Sequence, residues 1–193
     1  SIYDHNLEIL SFYNKINLVP FGEFLPFENI LKKLGLSVIT NNYQSFSNGD
    51  DRKIIKIKKD DFSLKILPLI CYEIIYSGKI FKNQSFDLIV NISEDGWFGT
   101  SIGPKQHFAH SIFRAVESGK YLLRSANNGI AAIVNPLGIV EQKVEYGEAG
   151  YVDFKKAKKI PPTLFSKYGN KIFIILILLY IFIIFSFNRF DNE

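Results

Sequence analysis

A single cysteine, Cys71, is the side chain in this 193-residue sequence best suited to covalent chemistry. It ends an apolar stretch and is followed by Tyr72 and Glu73, so its thiol is expected to project where a strand turns into a loop. A thiolate in such a place is a strong nucleophile, whereas a buried free cysteine often serves only as a small apolar side chain. One cysteine excludes an internal disulfide and a cysteine-rich metal cluster, so a free thiol is expected under either interpretation.

A second group of candidates bounds the segment 15–23, which begins with Lys15 and ends with Glu23. A thiol that attacks a carbonyl carbon needs a cation to stabilise the oxyanion and a carboxylate that moves or orients protons. Lys15 and Glu23 fit these two roles. Each also has an ordinary explanation as a surface residue, and the residue types alone leave both explanations open.

A metal centre is not expected. His107 and His110 are three residues apart in a predicted helix, but no third ligand accompanies them. We therefore expect His107 to form hydrogen bonds within the scaffold.

The elements that must position these residues are mostly strands. Short apolar runs bounded by polar residues predict a large sheet in an α/β or α+β fold. A short helix is predicted over 28–34 and a longer one over 106–119, which Gly119 would cap. Asn127-Asn128-Gly129 predicts a hairpin turn, and the composition of 41–52 predicts a loop. The predicted extended segments are 7–18, 54–57, 61–66, 67–70, 86–91, 121–126, 130–135 and 139–144.

The hydrophobic residues, 47% of the chain, are concentrated near its C-terminus. Residues 172–187 are apolar except for Ser186, and a helix of that length rises about 24 Å, slightly short of the ~30 Å hydrocarbon core of a bilayer. Flanking Lys171 and Arg189 could reach the interface, so we predict a transmembrane helix rather than a buried core segment.

The predicted organisation is a domain over 1–160, a linker over 161–171 that Pro161-Pro162 stiffens, the span, and a tail over 188–193. Lysines before the span predict either a solvated face or a surface attracted to anionic lipid. Taken alone, they would place the domain on the cytoplasmic side. Nucleic-acid binding is not favoured, because no base-stacking aromatic pattern accompanies them. The sequence contains no Met and begins at Ser1, so we expect a fragment of a longer protein.

Several segments resemble, in order, the motifs of the nitrilase, or carbon–nitrogen hydrolase, superfamily. The resemblance is closest to its membrane branch, the apolipoprotein N-acyltransferases. The segments are KINLVPFGEFLPF (15–27), LPLICYEIIY (67–76), NISEDGWFGTSIGPKQH (91–107), RAVESGKYLLRSANNGIAAIVNPLG (114–138) and PPTLFSKYGN (161–170).

This resemblance implies a four-layer α-β-β-α sandwich at the outer face of the bacterial inner membrane. It implies that Cys71 accepts an acyl chain from a phospholipid as a thioester, which the amine of a diacylglyceryl-apolipoprotein then attacks. Lys15 would stabilise the oxyanion and Glu23 would support it. Tyr72, Glu73 and Trp97 would contact substrate. No metal or dissociable cofactor is implied, and we expect a monomer.

Two departures from the family pattern leave alternatives open. Nothing before Lys15 matches the general-base glutamate of the family, and no counterpart of the family's multi-span N-terminal membrane region is present in the sequence. Because that base is missing, we expect the isolated chain to be catalytically deficient. In addition, Glu94 stands where the family often has a polar amide. A nitrilase-type amidase and a catalytically incomplete, membrane-anchored fragment are the alternative interpretations.

Overall fold

The computed structural model describes residues 1–35, 45–59, 62–78, 85–155 and 158–190. Part of the predicted loop 41–52, Lys156 in the basic segment and the last three residues of the predicted tail lie outside the described residues.

A mixed six-stranded sheet forms the centre of the structure. Its strands, in spatial order, are β3 (Ile55–Lys59), β4 (Phe62–Ile70), β5 (Leu88–Glu94), β6 (Tyr121–Asn127), β7 (Ala131–Val134) and β8 (Val140–Val144). The three central strands β4, β5 and β6 are parallel to one another, and the outer pairs are antiparallel. Parallel strands end at the same edge of a sheet, so the residues that follow β4 and β5 lie close together.

Most of the predicted strands are found, with one revision. The predicted strands 61–66 and 67–70 are one nine-residue strand, β4, because Pro68 lies within it without ending it. The predicted turn at Asn127-Asn128-Gly129 does join antiparallel strands β6 and β7. Asn128 has φ 48°, a left-handed conformation that asparagine adopts more readily than most residues.

One face of the sheet is covered by a helix, α2 (Gly103–Ser118). Its buried Phe108 and Ala115 pack with Leu69, Ile89 and Leu122 of the sheet. Gly119 ends this helix in a left-handed conformation with φ 65°, as predicted. A side chain there would also overlap the backbone of Ile160 and Pro161, so this glycine is required for packing too.

The N-terminal part contains little regular structure. Strands β1 (Ile2–Tyr3) and β2 (Ile9–Ser11) form a two-stranded sheet, and α1 (Glu28–Lys33) confirms the short predicted helix. Within the segment 7–18, predicted to be extended with one polar interruption, only Ile9–Ser11 forms a strand. The described residues thus form an α/β fold with a mixed sheet, and a second large sheet, which four layers require, is not among them.

The predicted linker is partly ordered against the domain. Ile160 N donates to Gly119 O and Thr163 N to Glu117 O, at 3.0 and 3.1 Å. A short helix, α3 (Leu164–Tyr168), follows, with the Thr163 hydroxyl accepting from Ser166 N at its start.

The C-terminal apolar run forms helix α4 (Lys171–Phe190). Among the helices that the structure describes, none has the combined length and hydropathy needed to cross a membrane. The predicted transmembrane helix over 172–187 is therefore not supported by the described residues.

Candidate active site

Cys71 stands at a strained turn immediately after β4. Its φ is 50°, in the left-handed region that non-glycine residues rarely occupy, and a 3-10 helix over Cys71–Ile75 continues the chain. Such a conformation costs about 1–3 kcal/mol and persists only where surrounding contacts hold it. The predicted elbow is therefore present.

Glu73 is a buried carboxylate that joins this turn to the segment carrying Lys15. Its Oε2 accepts from the backbone N of Ile70 at 2.8 Å. Its Oε1 accepts from the backbone N of Ile16 and Asn17 at 3.0 and 3.2 Å. Glu73 has no exposed surface and bonds within the framework of the site, and its contact with substrate, which the resemblance implied, stays a prediction.

Two more side chains, Tyr13 and Arg52, contact the Glu73 carboxylate. The hydroxyl of Tyr13 donates to both carboxylate oxygens at 2.8 and 3.0 Å, and Arg52 Nη2 forms an ion pair with Oε1 at 3.2 Å. Burial, and then the neighbouring negative charge of Glu73, raise the pKa of Tyr13. Tyr13 thus remains a neutral donor to this carboxylate.

Lys15 and Glu23, the two ends of the segment 15–23, form an ion pair in the structure. Lys15 Nζ lies 2.7 Å from Glu23 Oε1, and the other oxygen of Glu23 accepts from Val19 N at 2.8 Å. The Lys15 side chain is 10% exposed and that of Glu23 26% exposed. Glu23 thus fixes the direction of the ammonium group while leaving part of the pair open to a substrate.

A cavity of about 310 Å³ adjoins Cys71, and its surface is mainly apolar. Tyr72 and Trp97 line it, as do Val19, Ile75, Glu94, Phe98, Gly103, Gln106, His107 and His110. Trp97 is 86% exposed, so it forms part of the rim rather than of the core. The arrangement offers a thiol beside a space suited to an apolar chain.

A buried polar cluster lies beneath the turn of Cys71. Arg124 Nη2 forms an ion pair with Asp95 Oδ2 at 2.7 Å, and the other oxygen, Asp95 Oδ1, is 2.8 Å from His107 Nδ1. His107 Nε2 is 3.3 Å from the carbonyl oxygen of Cys71. Sequence reasoning expected only that His107 would bond within the scaffold, and it missed the link to the nucleophile.

The charge state of this cluster follows from its contacts. Burial alone would raise the pKa of Asp95, but hydrogen bonding from His107 and attraction to Arg124 outweigh it and lower the pKa to about 2. Burial lowers the pKa of Arg124, and the Asp95 carboxylate opposes this effect. Asp95 is therefore ionised at neutral pH.

Gly129 makes room for this cluster at the hairpin between β6 and β7. A Cβ atom at Gly129 would overlap the Asp95 carboxylate. The Asn-Gly signal predicted the turn, but nothing in the sequence indicated that the same glycine borders a buried acid 34 positions earlier.

In the parts of the chain that the structure describes, no group of three or more histidine, cysteine or acidic side chains is arranged to hold a metal ion.

Comparison with known proteins defines the family to which this chain belongs. Residues 1–153 match the family model for carbon-nitrogen hydrolases. The chain therefore belongs to the carbon–nitrogen hydrolase family, and its mixed-sheet α/β fold is nitrilase-like, as the motifs predicted.

Similarity to individual proteins gives a narrower class than the family model does. The chain is 40% identical over 173 residues to the apolipoprotein N-acyltransferase of Bradyrhizobium diazoefficiens, covering 88% of this chain and 32% of that protein. It is 44% identical over 171 residues to the apolipoprotein N-acyltransferase of Rickettsia prowazekii, covering 86% and 33%. The resemblance stated from the motifs is confirmed, and the chain spans about a third of the length of these relatives.

Among solved structures, a mutant amidase from Nesterenkonia sp. AN1 aligns with a TM-score of 0.48 at 15% identity, over 75% of this chain and 51% of that one. A likeness this distant adds nothing to the family assignment.

Proposed function

We propose that this protein transfers an acyl chain from a phospholipid to the N-terminal diacylglyceryl-cysteine of apolipoproteins through a thioester on Cys71. The observation that carries the proposal is the strained free cysteine beside an apolar cavity. The names of relatives that are 40% and 44% identical over most of the chain support the same substrate class.

The first half-reaction forms the thioester. Cys71 Sγ attacks the ester carbonyl carbon of the phospholipid, the ester C–O bond breaks, and the thiol proton ends on the hydroxyl of the departing lysophospholipid. The Lys15 ammonium, directed by Glu23 at 2.7 Å, stabilises the negative oxygen of the tetrahedral intermediate. Tyr72 and Trp97 border the space in which the acyl chain lies.

The second half-reaction releases the thioester. The free α-amine of the diacylglyceryl-cysteine attacks the thioester carbonyl, the C–S bond breaks, an amide forms, and a proton returns to Cys71 Sγ. Lys15 serves the second tetrahedral intermediate in the same way, because the reacting carbonyl remains attached at the same sulfur.

A location at the bacterial cytoplasmic membrane, with the catalytic domain on its outer face, is part of the proposal. It is supported by helix α4, whose apolar side chains from Phe173 to Phe187 are 40–70% exposed. Apolar surface in such quantity is stabilised by burial in lipid.

The proposal is tested with the native protein, expressed from its own gene, a phospholipid and a short diacylglyceryl-cysteine peptide. The expected result is an N-acylated peptide with no release of ammonia from small amides. Ammonia release without peptide acylation would replace the proposal with the amidase alternative.

A further inference from the structure

The orientation of His107 is set by acceptors on both sides of its ring. Nε2 is 3.3 Å from the carbonyl oxygen of Cys71, and Nδ1 is 2.8 Å from Asp95 Oδ1. A carbonyl oxygen accepts hydrogen bonds and never donates them, so the contact with Cys71 requires a hydrogen on Nε2. The side chain is 5% exposed, which leaves little room for water to replace either partner.

We infer that His107 is a positioning residue for the nucleophile: its Nε2–H donates to the carbonyl oxygen of Cys71 and holds the left-handed turn that presents the thiol. That oxygen lies in the peptide plane between Cys71 and Tyr72, so fixing it fixes the backbone on the C-terminal side of Cys71. The inference rests on the proposed function for its catalytic meaning, since it explains how the acylated sulfur is held.

The contacts of Nδ1 are compatible with a hydrogen on Nε2 in two of the three protonation states of the ring. Nδ1 meets the Asp95 carboxylate at 2.8 Å and Arg124 Nη2 at 3.2 Å. If Nδ1 carries a hydrogen it donates to Asp95, and if it does not it accepts from Arg124. The imidazolium and the Nε2–H tautomer both donate to Cys71, and only the neutral Nδ1–H tautomer would not.

Arg124 supports the nucleophile strand through two arms. The first arm runs through Asp95 and His107 to the carbonyl oxygen of Cys71. In the second, Arg124 Nη1 donates to Asn91 Oδ1, and Asn91 Nδ2 donates to Leu69 O at 3.1 Å. The two arms end on carbonyl groups two residues apart, so one buried guanidinium holds the end of β4 at two points.

Two variants distinguish the loss of the hydrogen bond to Cys71 from the other effects of removing the imidazole ring. In His107→Gln the side-chain amide nitrogen occupies nearly the place of Nε2 and keeps a donor toward Cys71. In His107→Asn the shorter amide reaches only the position of Nδ1. It can still contact Asp95, but it no longer reaches the carbonyl oxygen of Cys71. Both replace the imidazole with a neutral amide, so a purely structural loss would affect them alike.

The first experiment measures thioester formation on the native protein with labelled phospholipid, together with Tm. We expect His107→Asn to lower the rate at saturating lipid at least about tenfold with the KM within about twofold, and His107→Gln to stay within about threefold of wild type. Equal losses in both variants, or no loss in either, would overturn the inference. A wild type that forms no thioester would instead overturn the proposed function, and the role of His107 would then be decided by the second experiment.

The second experiment needs neither activity nor a stable variant. The chain contains three histidines, so the ring signals of a ¹⁵N-histidine-labelled wild-type chain are few enough to assign. We expect a protonated Nε2 for the buried, slowly exchanging ring of His107. An unprotonated Nε2 on that ring would overturn the inference whatever the outcome of the activity test.

Discussion

At the scale of single residues, the charged side chains of the site are of two kinds, partly exposed and fully buried. Lys15 and Glu23 form a partly exposed ion pair, whereas Glu73 is fully buried and accepts from the backbone on both sides of the site. Glu73 lies two residues from the nucleophile, and the resemblance implied that it contacts substrate. Its burial and its hydrogen bonds to the backbone indicate that it also holds the turn together.

Replacing Glu73 by glutamine is expected to destabilise the fold by about 3 kcal/mol. The new amide NH₂ would face backbone donors that now meet a carboxylate oxygen, so buried donors lose their acceptor. Urea unfolding measures this loss. Glu28→Gln, which removes an exposed ion pair with Lys32, serves as the control and is expected to cost less than about 1 kcal/mol. Equal shifts for both variants would contradict the role given to Glu73.

Replacing Lys15 by methionine is expected to lower thioester formation at least about a hundredfold, because the oxyanion loses its cation. Stability should also fall, by about 1–3 kcal/mol, because Lys15 is 10% exposed and the Glu23 carboxylate loses its partner. A kinetic assay with labelled phospholipid and a melting curve give the two values. Wild-type rates in this variant would remove Lys15 from the mechanism.

At the scale of elements, register in the parallel strands explains why the buried cluster can form. Leu69 of β4 lies opposite Asn91 of β5, and Asn91 lies opposite Arg124 of β6. Residues at one level of adjacent strands point to the same face of the sheet. Arg124 therefore reaches Asn91 directly. Through Asp95, which follows β5, it also reaches the underside of the nucleophile turn.

Gly129→Ala tests the close approach of the β6–β7 turn to Asp95. The added methyl group would overlap the carboxylate and is expected to cost about 1–3 kcal/mol and to slow thioester formation. Gly147→Ala places its methyl group in open space at a left-handed φ of 78°, so it measures the backbone cost alone and should leave the rate unchanged. If both variants keep the wild-type rate, the turn does not position Asp95.

The low pKa of Asp95 predicts acid sensitivity. Because its pKa falls from 3.8 to about 2 on folding, the ionised carboxylate stabilises the fold above about pH 4. That contribution, about 2 kcal/mol, is lost as the pH falls toward 2. Urea unfolding of wild type and Asp95→Asn from about pH 6 to pH 2 should show the steeper loss in wild type. Parallel curves would contradict this assignment.

The sequence predicted the elements better than their contacts. The periodicity of apolar residues and the presence of turn residues are local signals. They could therefore predict β3, β5, the hairpin at Gly129 and the end of α2 at Gly119. Cys71, Lys15 and Glu23 were predicted as catalytic residues from their motifs, and the structure pairs Lys15 with Glu23. The bonds of Arg124 to Asp95 and Asn91 span 29 and 33 positions, and they depend on register between parallel strands, which periodicity does not specify.

At the scale of the whole molecule, helix α4 departs most from an ordinary globular surface. Its apolar side chains are exposed on every side, and among the described helices none can cross a membrane. The domain before it carries the proposed catalytic residues and matches the family model through residue 153. The chain thus combines a folded α/β domain with an exposed apolar helix, which we propose contacts lipid.

Paired lysines in α4 test its association with lipid. Leu176→Lys with Tyr180→Lys keeps helix propensity but puts two charges on one face, so binding to zwitterionic phosphatidylcholine vesicles should fall at least about tenfold. Leu176→Ile with Tyr180→Phe keeps the face apolar and should bind as wild type does. Flotation of both variants on a density gradient gives the comparison. Unchanged binding of the lysine variant would exclude α4 as the contact with lipid.

The most direct test of the proposed chemistry is mass spectrometry of the native protein after incubation with a phospholipid that carries a labelled acyl chain. Cys71 is the only cysteine in this chain, so a hydroxylamine-sensitive acyl group on its peptide is unambiguous. The account predicts that wild type carries this thioester, that Cys71→Ala does not, and that a diacylglyceryl-cysteine peptide discharges it. A wild-type peptide with no more label than Cys71→Ala would contradict the central claim.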